Sequence, residues 1–134
     1  MRVGFTCGVF DLFHAGHVLM LKECKEHCDY LVVALNRAEN LSDVINPGKK
    51  APIYTIEERK ILMSSCRYVD EVIDYNSENE LLKILKDRAI DIRFLGEDYK
   101  GKTITGAELH TKIHYTDRGH GLSTSHYREL IKNS

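Results

Sequence analysis

Short apolar runs alternate along this chain with longer stretches in which apolar residues recur every three or four positions. Val3 to Thr6 is the first run, bounded by Gly8, and reads as a buried strand. A helical segment from Val18 to Cys28 comes next. Val18, Leu21, Cys24 and Cys28 share one face there, while Lys22, Glu23, Lys25 and Glu26 fill much of the other. Asp29 ends it. Tyr30 to Leu35 is almost continuously apolar and rich in β-branched residues, as in a strand covered on both faces. Strand, helix and strand in this order form a βαβ unit, right-handed by the usual rule.

Asn36 to Tyr54 then loses all periodicity and collects Asn, Ser, Asp, Pro, Gly, Lys49 and Lys50. A connection of that length is expected to be functional or mobile. Thr55 and Glu58 have capping-box spacing and open a helix expected to carry Ile61 and Leu62 inward. Val69 to Ile73 is a short strand. Ser77 and Glu80 make a second capping box before a helix with Leu81, Leu82, Ile84 and Leu85 on its buried stripe. Ile92 to Leu95 and Lys112 to Tyr115 are the fourth and fifth strands, with a helical turn near Ala107 to His110. A Gly/Ser/Thr-rich turn from Gly119 to Ser125 leads to a final helix carrying Tyr127, Leu130 and Ile131, capped by Ser123 or Thr124. The pattern predicts an α/β fold: a Rossmann-like three-layer sandwich around a mostly parallel five-stranded sheet, its ligand-binding loops converging on one sheet edge.

Composition narrows the class. With 134 residues, 43% hydrophobic and 29% charged, residues 1–134 are expected to form one globular domain with an adequate core. A formal net charge of -1 gives no basic field for nucleic acid, so any anion must be held by local groups. No apolar run approaches membrane-spanning length and no signal-peptide pattern opens the chain, so cytoplasmic residence without membrane insertion is expected. Cys7, Cys24, Cys28 and Cys66 do not read as a disulfide framework. Cys24 and Cys28 lack a second Cys/His pair at zinc-site spacing, and Cys28 is expected to face the core.

The chemistry concentrates in Gly8-Val9-Phe10-Asp11-Leu12-Phe13-His14-Ala15-Gly16-His17, between the first strand and the first helix. A helix N-terminus presents free N–H groups to an anion, and Gly8 and Gly16 let a ligand approach the backbone. Two imidazoles beside that terminus can donate to phosphate oxygens, though they could also serve only as surface caps.

H-x-G-H after G-x-F-D resembles the signature of the cytidylyltransferases among the H-x-G-H nucleotidyltransferases. Glu58-Arg59-Lys60 and Arg67-Tyr68-Val69-Asp70-Glu71-Val72 look like the E-x-R-x and R-Y-V-D-E-V segments of the glycerol-3-phosphate and choline-phosphate members. Gly96-Glu97-Asp98-Tyr99-x-Gly101-Lys102 is similar to G-D-D-W-x-G-K, and Arg118 to Ser125 resembles R-T-E-G-I-S-T-[TS]. The chain departs from the pattern at Val9, where the bacterial glycerol-phosphate members have Thr, and at Ala15, where they carry Trp. It also has Gly119-His120 in place of Thr-Glu.

The resemblance implies transfer of a cytidylyl group from CTP, with Mg²⁺ accompanying the triphosphate, to a small alcohol phosphate, glycerol 3-phosphate first among them. His14, His17, Arg118 and Lys50, with Lys49 as alternate, would act on the phosphates. Val9, Phe10, Asp11, Gly16, Asp98, Ser123 and Thr124 would bind nucleotide, and Arg59 and Arg67 the alcohol phosphate or a dimer partner. No metal ligand set is expected from the protein, and the likeness implies a homodimer. Two rivals remain open: an adenylyltransferase of the same fold, and a non-catalytic nucleotide-binding regulator.

Overall fold

The structure, a computed structural model, describes residues 1–38 and 51–134. Lys49 and Lys50 lie outside the described residues, as does most of the long connection they belong to. Strands β1 (Val3–Gly8), β2 (Tyr30–Asn36), β3 (Glu71–Tyr75), β4 (Ile92–Gly96) and β5 (Lys112–Thr116) form one sheet in the order β3-β2-β1-β4-β5. Every neighbouring pair is parallel. Helices α1 (Ala15–Glu26), α2 (Ile56–Ser64), α3 (Glu78–Asp87) and α4 (Thr124–Lys132) intervene, and the architecture is the expected Rossmann-like one.

Parallel strands need cover on both faces. One face buries Leu31, Val33, Leu35, Ile92 and Phe94 under Leu21 and Cys24 of α1 and Met63 of α2. The other buries Phe5, Val32, Ala34 and Tyr75 under Leu81 and Leu85 of α3. Cys28 packs against the first cluster just past the end of α1.

Three local expectations are corrected. The third strand begins at Glu71 rather than Val69: the Val69 amide donates to Cys66 O, and the Asp70 amide to Leu31 O at the sheet entry. The Thr55 cap sets the phase of α2 so that Arg59 and Met63, one turn apart, point inward; Ile61 is 67% exposed. At α3, Ser77 Oγ accepts from the Glu80 amide, but the Glu80 carboxylate accepts from Asn76 N, so the box is not closed on Ser77. Leu130 and Ile131 of α4 are exposed, while Tyr127 packs on His14 and Arg128 reaches Asp11.

The strand order reverses between β1 and β4. At such a switch point the loops leaving the two strands part in opposite directions and leave a crevice beyond the strand ends. The segment from Val9 to His14 leaves β1 there, and a 3₁₀ turn at Glu97–Tyr99 leaves β4.

Candidate active site

A cleft of about 710 Å³ opens at this point. Val9, Phe10, His14, Gly16, His17, Arg118, Ser123 and Thr124, all expected at the site, line it. Gly16 is required by close approach: a Cβ there would lie 2.6 Å from Leu122 O and 2.9 Å from the His14 ring. The N-terminus of α1 therefore backs directly onto the loop before α4.

The two histidines cap α1 and face the cleft at once. His14 Nδ1 accepts from the Gly16 amide at 3.0 Å, and His17 Nδ1 accepts from the His14 amide at 3.3 Å. With both Nδ1 atoms accepting, the remaining proton of each neutral ring sits on Nε2. His14 Nε2 lies 3.3 Å from Thr124 Oγ1, whose own proton goes to Asp11 O. The rings stack at 3.8 Å, and Phe10, Phe13 and Tyr127 pack around the pair. Burial, then the neighbouring His14 and Arg118, push the His17 pKa down to about 3. Burial, with His120 and His126, lowers that of His14. Both rings are neutral Nε2–H donors at neutral pH.

That depressed pKa has a sign for stability. The unfolded chain binds a proton at His17 below its ordinary value of 6.5, while the folded chain stays neutral there. Stability contributed by the neutral ring is therefore present above 6.5 and lost as pH falls toward about 3, with a slope of at most about 1.4 kcal/mol per pH unit. Thermal melts of the wild type between pH 7 and 5 should show Tm falling, and His17→Asn should flatten part of that fall; an equal fall in both would assign it elsewhere.

The loop carrying the motif is held in a strained shape. Phe10 and Leu12 have φ of 53° and 51°, a left-handed conformation that costs a side-chain-bearing residue about 1–3 kcal/mol. Asp11 between them is buried. Its carboxylate accepts from the Ile53 and Tyr54 amides at 2.8 and 3.0 Å and from Arg128 at 3.0 Å. Asp11, expected at the nucleotide, thus anchors the loop, its carboxylate taken up by these three donors. Arg128 was not legible as its partner.

Arg59, expected at the alcohol phosphate or at a dimer contact, is placed among backbone carbonyls. It is 3% exposed, and its guanidinium donates to the carbonyls of Val9, Asn36, Arg37 and Tyr54. Arg67, in the connection from α2 to β3, lies at the opposite sheet edge with its guanidinium over the Tyr68 ring, and does not line the cleft.

Arg118 follows β5, and Glu23 of α1 fixes where that loop starts by accepting from Asp117 N and pairing with His114. The exposed Arg118 guanidinium lies over Gly96, 3.9 Å from Asp98. Asp98 therefore sits beside the cleft as the partner of Arg118. Ser123 caps α4 by accepting from the His126 amide, which orients that helix N-terminus toward the cleft. His120, in the segment that departs from the family pattern, lines the cleft with Nδ1 accepting from Leu122 N.

Among the described residues no group of three or more His, Cys, Asp or Glu side chains is placed to hold a metal ion. Nor, among the described residues, is any helix long and apolar enough to cross a membrane.

Neutral imidazole donors, a guanidinium and two helix N-termini are brought together at the switch point of a parallel sheet, the class of α/β site whose donors suit phosphate oxygens. The profile of the family described as cytidylyltransferase-like matches residues 5–130. The chain belongs to that family, whose members are nucleotidyltransferases. It is 34% identical over 132 residues to a glycerol-3-phosphate cytidylyltransferase of Bacillus subtilis, covering 98% of each chain. It is 33% identical over 133 residues to the bifunctional protein HldE of Campylobacter concisus, of which it spans only 28%. Among solved structures it is similar to a lipopolysaccharide core biosynthesis protein of Thermoplasma volcanium, with TM-score 0.70 and 32% identity over 87% of this chain and 97% of that one. The pantothenate synthetase of Thermus thermophilus shares the fold, with TM-score 0.58 at 11% identity over 96% of this chain and 64% of that one.

Proposed function

We propose that this protein transfers a cytidylyl group from CTP to a small alcohol phosphate, glycerol 3-phosphate being the leading acceptor, and releases a CDP-alcohol and pyrophosphate. The observation that carries the reading is the neutral histidine pair at the cleft, each Nδ1 pinned by a backbone amide so that each ring proton stays on Nε2, where that of His14 faces Thr124 Oγ1. The end-to-end likeness to a glycerol-3-phosphate cytidylyltransferase supports the choice of nucleotide and acceptor.

In the reaction an oxygen of the acceptor phosphate attacks the α-phosphorus of CTP. A new P–O bond forms, the bond from the α-phosphorus to the bridging oxygen breaks, and pyrophosphate leaves with that electron pair. The acceptor phosphate is ionised near neutral pH, so no covalent enzyme intermediate is needed. Magnesium belongs to the substrate, arriving with the triphosphate. His14 and His17 donate to phosphate oxygens as charge develops, and Arg118 and the α4 N-terminus hold the polyphosphate.

A second reading, adenylyl transfer to a sugar phosphate, is favoured by the likeness to the lipopolysaccharide core biosynthesis protein and to HldE. The deciding experiment is pyrophosphate release with Mg²⁺ and either CTP or ATP, across glycerol 3-phosphate, phosphocholine, phosphoethanolamine and sugar phosphates. Release with CTP and glycerol 3-phosphate is the expected result. Release with ATP alone would move the chain to the adenylyl branch, and nucleotide binding without release would make it a regulator.

A further inference from the structure

Arg93 was hidden in the apolar fourth strand, and no part of the phosphate chemistry above uses it. Alternation along β4 turns its side chain away from Ile92 and Phe94, toward the α3 face of the sheet. It is 4% exposed and lines the cleft. One of its five N–H donors goes to Thr105 O at 2.6 Å, and among the described residues no carboxylate pairs with it. Its other N–H donors have no protein acceptor among the described residues and open on the cleft, where the oxygen atoms of a ligand can take them.

Its neighbours define what those oxygens belong to. Glu78, the first residue of α3, takes the Thr105 hydroxyl on Oε2 at 2.6 Å, and its other oxygen has no hydrogen-bond partner among the described residues. Thr105 is thereby clamped twice, by its carbonyl and by its hydroxyl. Tyr75 and Cys7 close the wall on the β1 side. Arg93 offers only donors and a carboxylate only acceptors, a pairing that suits hydroxyl groups, which do both. A trimethylammonium end has no acceptor for Arg93 and no donor for Glu78, so it would leave both without a hydrogen bond.

Position sets which part of the ligand arrives here. Arg93 stands three residues before Gly96, the last residue of β4. At about 3.3 Å per residue its backbone is about 10 Å below the sheet edge that carries the histidines. The reacting phosphate belongs at that edge, so this half of the cleft meets the remote end of the acceptor.

We infer that the half of the cleft between β4 and α3 is a subsite for the hydroxyl-bearing end of a polyol or sugar phosphate, read by Arg93 and Glu78 and closed to acceptors with a cationic end. The inference rests on the proposed transfer to an alcohol phosphate.

The test combines steady-state kinetics with calorimetric binding, on the full chain and on Arg93→Gln and Glu78→Gln. The probes are glycerol 3-phosphate, a hexose 1-phosphate and phosphocholine. The wild type should bind and use at least one hydroxylated phosphate and reject phosphocholine. Each substitution should raise Kd and KM for that acceptor about tenfold or more, the usual loss for a hydrogen bond to a charged group, while KM for the nucleotide stays within about twofold. Glu78→Gln, at an exposed helix start, keeps the test decisive if Arg93→Gln does not fold. Equal use of phosphocholine, unchanged acceptor constants in the variants, an equal shift in nucleotide KM, or no binding of either hydroxylated phosphate would each overturn the inference. Arg93-dependent acceptor binding without pyrophosphate release from CTP or ATP would instead remove the proposed function and leave the subsite standing.

Discussion

His17→Ala should lower kcat about 10²–10³-fold, the usual cost of deleting one preorganised donor to a developing oxyanion, with little change in nucleotide KM. The reason is the hydrogen-bond pattern rather than the presence of an imidazole as such. His17 Nδ1 is committed to the His14 amide, and its pKa is held at about 3. The ring therefore meets substrate as a neutral Nε2–H donor, already aimed before charge appears. His17→Asn retains a short acceptor for the amide together with a donor, so it should keep more activity than alanine while matching it in fold. The pH profile separates this account from its rival. A neutral donor leaves kcat level from pH 6 to 8 as far as His17 is concerned, whereas an imidazolium would lose activity as pH rises through 6.5, its ordinary value. A falling limb there that disappears in His17→Asn would defeat the neutral-donor mechanism.

Much of the architecture was readable because local signals and tertiary structure agree. Caps at Thr55, Ser77 and Ser123 start helices where they were expected, and continuous apolar runs such as Tyr30 to Leu35 became interior strands. The reading of the histidines as helix caps is met in the fold, and that capping is what fixes their tautomer. Arginines were the hardest residues to place. A guanidinium looks the same in sequence whether it faces phosphate, a carbonyl cluster or an aromatic ring, and only the tertiary partner decides. Their motifs suggest Arg59 and Arg67 as ligands of the alcohol phosphate or contacts with a dimer partner, and nothing in the sequence marks Arg93 or Arg128. In the fold Arg93 is in the cleft and Arg128 reaches the buried Asp11, while the other two are elsewhere. The missing information was helix phase and strand face. Nothing in Glu57-Glu58-Arg59-Lys60-Ile61 says that Arg59 rather than Ile61 turns inward until the Thr55 cap and the sheet beneath are both in place.

Arg59→Met should therefore behave as a stability mutant. Its four hydrogen bonds gather the carbonyl of Val9 in the motif loop, those of Asn36 and Arg37 after β2, and that of Tyr54 before α2. Asp11 draws the Ile53 and Tyr54 amides to the same place, so the two residues together join three chain segments under the cleft. Methionine keeps much of the buried volume but leaves the carbonyls without donors. Charged hydrogen bonds are worth about 1.5–3 kcal/mol each and are not additive, so a net loss of about 3–5 kcal/mol is expected. For a domain of this size that corresponds to a fall in Tm of about 10 °C or more, measurable by calorimetry. Arg59→Lys should recover little, because one ammonium cannot span carbonyls on separate segments. If Arg59 held the alcohol phosphate instead, Arg59→Lys would leave Tm nearly unchanged and raise only the acceptor KM. With the carbonyl cluster as its partner, the order reverses: Tm falls first, and kcat drops with it because the strained loop from Val9 to Leu12 loses the tie that holds His14 and His17 in their capping geometry.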